Sequence, residues 1–280
     1  MTAVGRTRPA AGSTRPAGLG RLMTTELIKL GTTRVWWGLL ITGVLLSFLQ
    51  SGLIAGTAGL SLGNGPPSPP PTDPAMLRSI YTGGFTYGYV ITLCLGVLGM
   101  AGEYRHLTIT PTLLAVPRRS WLVQAKLLAY LVAGFGYGIV IVLAGAVLGG
   151  IVISARGYPL GLGTSGVVRA VVLAMVACAV WTVFGLGLGT LIRNQIVALL
   201  VGIGIAVIGA PLLAFGLQAA HAGSIAQYLP NQASAALVQG ASGGIEQQLL
   251  PWWAGGLVLL AYGVVFAVLG AAITTQRDVT

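Results

Sequence analysis

Six runs of uncharged apolar residues divide the chain: Trp36 to Ala58, Ile80 to Gly102, Leu127 to Ile153, Ala170 to Leu191, Ile196 to Leu217 and Trp252 to Ile273. Each has about the 20 residues that a helix needs to cross a hydrocarbon core of about 30 Å. None contains Asp, Glu, Lys, Arg or His. Ahead of the first run, Leu19, Leu22, Met23, Leu27 and Leu30 recur at helical spacing, with Arg21, Thr25, Lys29 and Thr32 on another face. That pattern predicts a helix over residues 19–34 lying in a membrane interface. The whole predicts an all-α membrane protein of six transmembrane helices over residues 35–274, with a short tail at 275–280. Trp36, Trp37, Trp121, Trp252 and Trp253 fall at or just beyond span ends, where an amphipathic ring sits between headgroups and chains; Trp181 lies mid-span.

Composition strengthens this reading. Of 280 residues 55% are hydrophobic and 7% charged, and the mean hydropathy is +0.87, whereas a soluble domain carries about 25% charged residues. A water-soluble globule is excluded. The 15 Lys+Arg against 5 Asp+Glu give a formal +10, and position decides what that means. Arg6, Arg8, Arg15, Arg21, Lys29, Arg34, Arg105, Arg118, Arg119, Lys126, Arg193 and Arg277 fall on one side, against Arg78, Arg156 and Arg169 on the other. The positive-inside rule then places both termini in the cytoplasm. The charge marks topology, and no nucleic-acid partner is needed to account for it.

Residues 1–18, basic and without apolar periodicity, read as a disordered tail in front of a natural start at Met23. The first apolar run begins too late and is too long for a secretory signal, so it reads as a retained span. The proline-rich segment Gly59 to Ser79 is expected to be extended and poor in regular structure. Gln218 to Leu250 has room for a short outer helix or re-entrant piece that lids an exit. Glycine pairs four apart (Gly84 and Gly88, Gly134 and Gly138, Gly145 and Gly149, Gly185 and Gly189) read as close packing within the bundle rather than as a dedicated dimer face.

Chemistry is sparse. Cys94 and Cys178 both lie in apolar runs and read as buried small side chains. His106 and His221 fall on opposite sides of the membrane, so no paired metal ligands are formed, and neither H-E-x-x-H nor G-x-S-x-G occurs. Lys29 and Lys126 follow Ile and Ala, not Gly, so a phosphate-cradling P-loop is absent. No catalytic residue and no cofactor is therefore assigned. Spans without ionisable groups argue against a proton relay.

The most informative segment runs from Glu103 to Lys126. Thr110 followed by Pro111 has the order of an N-cap and first helical residue, and Pro117 ends the short helix that carries Leu113 and Leu114. Such a helix suits a soluble partner, with Arg118 and Arg119 beside it meeting acidic partner residues or anionic lipid. Here the chain resembles the permeases of the ABC type 2 family, in particular the single-chain subunits common in high-GC Gram-positive bacteria. Three motifs carry the likeness. The lead-in Glu26-Leu-Ile-Lys29-Leu30-Gly-Thr-Thr33-Arg34 is similar to E-x-x-K-L-R-[TS]-x-R, with Gly31 where Arg is frequent. Glu103-Tyr-Arg105 with Thr108, Thr112-Leu113, Pro117, Arg119 and Lys126 is similar to E-[YF]-R-x-G-T…T-L…P-x-R…K, with Leu107 where Gly is frequent. Tyr228-Leu-Pro230-Asn231 and Ala235-Ala-Leu237 are similar to the segment before the last span.

The resemblance implies a permease subunit of an ATP-driven exporter in the bacterial cytoplasmic membrane. It implies two copies of a separate ATPase subunit, holding ATP and Mg2+, docked on the lead-in helix and on a coupling helix between spans 2 and 3. The ATPase-coupling residues are then Glu26, Lys29, Arg34, Glu103, Arg105, Thr110, Leu113, Leu114, Arg118, Arg119 and Lys126. It also implies a second copy of this permease, with cargo passing along spans 2 and 5; Phe85, Tyr89, Thr92, Pro211 and Phe215 are the candidate pathway residues. Glu103 is expected to pair with Arg105, Lys126 or Arg34. An uncharged pathway favours hydrophobic drugs, natural products or lipids as cargo. Two alternatives stay open: a membrane anchor or sensor of an ATPase complex that moves no cargo, and a facilitator that needs no energy.

Overall fold

The computed structural model of the chain describes residues 18–61, 67–105, 119–164, 166–192, 194–238 and 249–276. Among these residues every regular element is helical. The helices are α1 (Leu19–Thr32), α2 (Arg34–Thr57), α3 (Pro74–Tyr81), α4 (Phe85–Arg105), α5 (Arg119–Ala155), α6 (Val167–Leu191), α7 (Gln195–Ile203), a π-helical turn (Gly204–Gly209), α8 (Ala210–Ala219), α9 (Gly223–Ala226), α10 (Pro230–Val238) and α11 (Trp252–Gln276). Five stretches among the described residues are long and apolar enough to cross a membrane: Arg34–Thr57, Pro74–Glu103, Val123–Ala155, Val167–Leu191 and Gln195–Ala219. In α11 the described apolar stretch is the shorter Trp252–Phe266.

The core forms around α6. Of its most apolar stretch 78% is buried, against 22% for α2 and for the α7–α8 run. A helix apolar all round belongs inside a bundle or in lipid, and these helices divide between the two. α4 lies closest to α6 because glycines let the backbones touch. A β-carbon added at Gly185 would collide with the Leu93 carbonyl, and one at Gly96 with the Thr182 carbonyl. Gly134 and Gly138 of α5 meet Thr182, Met175 and Cys178 of α6 in the same way. The glycine pairs thus serve packing within the chain, as their spacing suggests. Trp181, 1% exposed, fills the centre of this core between Tyr89 and Phe184, with ring centroids at 4.9 and 5.3 Å.

Three expectations need correction. The segment Gly59 to Ser79 is not extended throughout. It turns back on itself, with the Gly59 N–H donating to the Pro69 carbonyl (3.0 Å) and the Ser68 hydroxyl to that of Thr57 (2.8 Å). It then enters α3, where Asp73 accepts hydrogen bonds from the N–H groups of Ala75 (2.8 Å) and Met76 (3.0 Å), with Pro74 in the first helical turn. An Asp-Pro pair supplies an N-cap and a pre-set first residue, and that outweighed the preceding prolines. The second span accordingly starts not as one helix at Ile80 but as α3, a bend at Thr82–Gly84, and α4. The helix of the third span, α5, also starts earlier than Leu127, at Arg119, so Lys126 lies inside it with only 7% exposure.

Candidate functional site

α1 ends at Thr33, whose extended backbone (φ −85°, ψ 136°) separates it from α2 and whose N–H and hydroxyl both bond the Leu30 carbonyl. This break lays α1 across the end of the bundle where α4 finishes and α5 begins. Beside it Tyr137 of α5 fastens the start of α2, its hydroxyl donating to the Trp36 carbonyl at 2.7 Å, while four charges fasten α1 itself.

Glu26 of α1 is 4% exposed and receives two ammonium groups: Lys29 Nζ on Oε1 at 2.7 Å and Lys126 Nζ on Oε2 at 2.8 Å. Glu103, near the end of α4, receives Lys126 Nζ at 2.7 Å and Lys29 Nζ at 3.5 Å, both on Oε1. Two carboxylates and two ammonium groups thus form a closed, neutral ring that joins α1, α4 and α5. Leaving any one of the buried charges unpaired would cost several kcal/mol, so the ring holds only while all three helices stay in place. Burial pushes the Glu26 carboxyl up, but the charges and hydrogen bonds of Lys126 and Lys29 outweigh it and hold it below the ordinary 4.5. Lys126 also lies 5.6 Å from the Tyr130 ring centroid, within cation–π range. Tyr130 in turn has room only because residue 99 is glycine: a β-carbon there would strike its ring.

Of the residues expected to act in ATPase coupling, the structure brings Glu26, Lys29, Glu103 and Lys126 together. Glu103 takes Lys126 from its three expected partners and adds Lys29, while Arg34 is exposed at the first position of α2. Arg105 and Arg119 lie on the helical backbones that leave and re-enter the bundle on either side of the loop. Thr110, Leu113, Leu114 and Arg118, and with them the expected coupling helix, lie outside the described residues.

The candidate pathway residues fall in two groups, Phe85, Tyr89 and Thr92 adjoining on α4 with the Phe85 and Tyr89 rings 5.6 Å apart, and Pro211 and Phe215 on α8. Phe85 is 8% exposed and Thr92 fully buried, its hydroxyl bonded to the Tyr89 carbonyl, whereas Phe215 is 66% exposed on α8 and Pro211 is exposed beside it. Tyr89 does reach the fifth span, at a point the pattern of residues does not mark. In the π-helical turn the Ala210 N–H bonds the Ile205 carbonyl, five residues back. The next residue, Pro211, has no N–H to give, so the Ala206 carbonyl lacks its donor in the helix. Asn231 Nδ2 of α10 supplies one at 2.6 Å, and the Tyr89 hydroxyl adds a longer contact at 3.4 Å. Asn231 was noted only as part of a motif; the signal that could have found it is the pairing of a span proline with a buried amide nearby.

A cavity of about 430 Å³ opens beside the charge ring, between α1, α2, α4 and α5, with Leu39, Leu95, Trp36 and Tyr130 among its walls. Among the described residues no group of three or more His, Cys, Asp or Glu is placed to hold a metal.

No curated protein sequence matches the chain. The family model described as ABC-2 family transporter protein matches residues 72–279, from just before α3 to past the end of α11, and so takes in Glu103, Lys126 and the loop between them. Membrane subunits of this family work with an ABC ATPase subunit. A multi-pass helical chain that matches over more than half its length belongs to the ABC-2 family of transporter proteins, as a membrane permease subunit.

Proposed function

We propose that this chain is the permease half of an exporter in the bacterial cytoplasmic membrane. It has six spans with both termini inside, and two copies stand side by side on two ATPase subunits that supply the energy. Cargo is hydrophobic or amphipathic: a drug, a natural product or a lipid. The observation that carries the reading is the ring Glu26–Lys126–Glu103–Lys29, which ties the lead-in helix to both ends of the segment expected to dock on the ATPase. Movement of that segment, transmitted through Arg105 and Arg119 at its ends, changes the position of Glu103 relative to Lys126. The ring then carries the change to α1 and into α4, which pivots where Gly96 touches α6. The uncharged walls farther along α4 and α6 suit apolar cargo.

The test is Glu103→Ala reconstituted with its ATPase. Loss of cargo-stimulated ATP hydrolysis and of export, with assembly retained, is expected. Normal coupling in a normally assembled complex overturns the role of the ring. ATP hydrolysis that no cargo stimulates in the unaltered complex favours an anchor or sensor instead.

A further inference from the structure

The two lysines of the ring are not equivalent. Lys126 is enclosed, with 8% of its side chain exposed, and lies 2.7–2.8 Å from both carboxylates. The Lys29 side chain is 43% exposed; its ammonium lies 2.7 Å from Glu26 but holds Glu103 only at 3.5 Å, and its flexible four-carbon stem can carry it out to solvent. Glu26, Lys29, Glu103 and Lys126 all line that cavity, whose volume of about 430 Å³ is in the range of small-molecule sites.

Charge counting says what the cavity prefers. With Lys29 in place the ring is neutral; with Lys29 swung out to solvent it holds two carboxylates and one ammonium, a net −1 in a partly dry site. A cation restores neutrality, whereas an anion makes the imbalance worse. Tyr130, already within cation–π range of Lys126, and Trp36 line the cavity and favour positive charge there, and Leu39 and Leu95 offer apolar wall to the rest of a ligand. We propose that this cavity binds an amphipathic organic amine, whose ammonium takes the place that Lys29 fills between Glu26 and Glu103. Lys29 is thus a tethered stand-in that keeps the site closed until a ligand displaces it. The inference uses the same four charges as the coupling reading but does not depend on it, because binding needs no ATPase.

The experiment uses the full chain, purified without its ATPase in vesicles of uncharged lipid, and three fluorescent probes with one body: dansylcadaverine, its N-acetyl derivative without the charge, and a dansyl aminoalkanoate with a carboxylate. Saturable binding is expected for the amine only. Lys29→Met, which keeps the stem and removes the competing charge, should tighten amine binding about fivefold, the size of a partly exposed ion pair of about 1 kcal/mol. Adding Glu103→Gln to Lys29→Met should remove that gain while leaving the ring neutral and the chain folded. Equal binding of amine and N-acetyl probes overturns the proposal, as does an amine affinity unchanged or weakened in Lys29→Met. Should binding behave as stated while Glu103→Ala couples normally, the site stands and the coupling role falls.

Discussion

The two ends of α4 are held by opposite means. At one end Glu103 is fixed by two ammonium groups from α1 and α5. At the other, Tyr89 meets the Ala206 carbonyl, which is served by an amide from α10 and carries no net charge. Between them Gly96 lies against α6 with no room for a methyl group. Charges act over distance and exchange partners at moderate cost, whereas a backbone contact between glycines is either made or lost. In the coupling proposed above, α4 works as a lever with an electrostatic handle, a steric pivot and a neutral far end.

The comparison breaks most easily at its strongest point. Lys126→Met removes the one cation that both carboxylates share at short range and leaves Glu26 buried with excess charge. A loss of about 3–5 kcal/mol is expected, the scale for breaking a buried pair from one side. Thermal unfolding of the detergent-purified chain measures it, and adding Glu26→Gln should recover part of the loss, since the remaining Glu103 and Lys29 are again balanced. Next in size is the pivot: Gly185→Ala places a methyl group on the Leu93 carbonyl and should cost about 1–3 kcal/mol as overpacking. No charge change elsewhere should rescue it, which separates pivot from handle. At the far end, Asn231→Ala leaves the Ala206 carbonyl with only the weak contact to Tyr89 and should cost about 0.6–1.5 kcal/mol, the usual worth of a hydrogen bond in or near a membrane.

Acid distinguishes the ends without mutation. Glu26 has its folded-state pKa held below 4.5, so its contribution is fully present above that value and is lost as pH falls through the folded pKa. Unfolding temperature should stay level from neutral pH down to about 5 and then drop, and the drop should be shallower in Glu26→Gln. Asn231→Ala, which touches no titrating group of the ring, should keep the slope of the unaltered chain.

Five spans were legible because an apolar run of about 20 residues leaves a helix few other places to go. α3 is hidden in the sequence because Pro74, half of its Asp73-Pro74 start signal, reads as one more member of the proline-rich run ahead of it. Glu26, Lys29, Glu103 and Lys126 were singled out by likeness to a family, not by pattern. Glu26 and Lys126 are 100 residues apart, and no periodicity connects them. The π-helical turn could not be read at all: Pro211 announces a missing donor, but which carbonyl is left over depends on whether the preceding turn closes over four residues or five. Phe85, Tyr89, Thr92, Pro211 and Phe215 follow from span and size, and the packing buries Phe85 and Thr92 while leaving Pro211 and Phe215 exposed, because a span's apolar faces look alike until their neighbours are known.

The smallest effect is also the sharpest test of the handle. Lys29 sits in the same ring as Lys126, is the same residue type and meets the same two carboxylates, so a reading by contacts alone would give the two equal weight. Exposure separates them. With 43% of its side chain in contact with solvent, Lys29 gains little by pairing, because water serves its ammonium nearly as well and the Coulomb term is screened. Lys29→Met should therefore shift stability by no more than about 1 kcal/mol, and raising the salt concentration should erase most of that difference while leaving the Lys126→Met loss in place. If the two lysines prove equally costly, the ring is a rigid clasp and cannot act as a handle. If Lys29 is nearly free to leave, the end of α4 is held by one enclosed lysine, and the other is available to move.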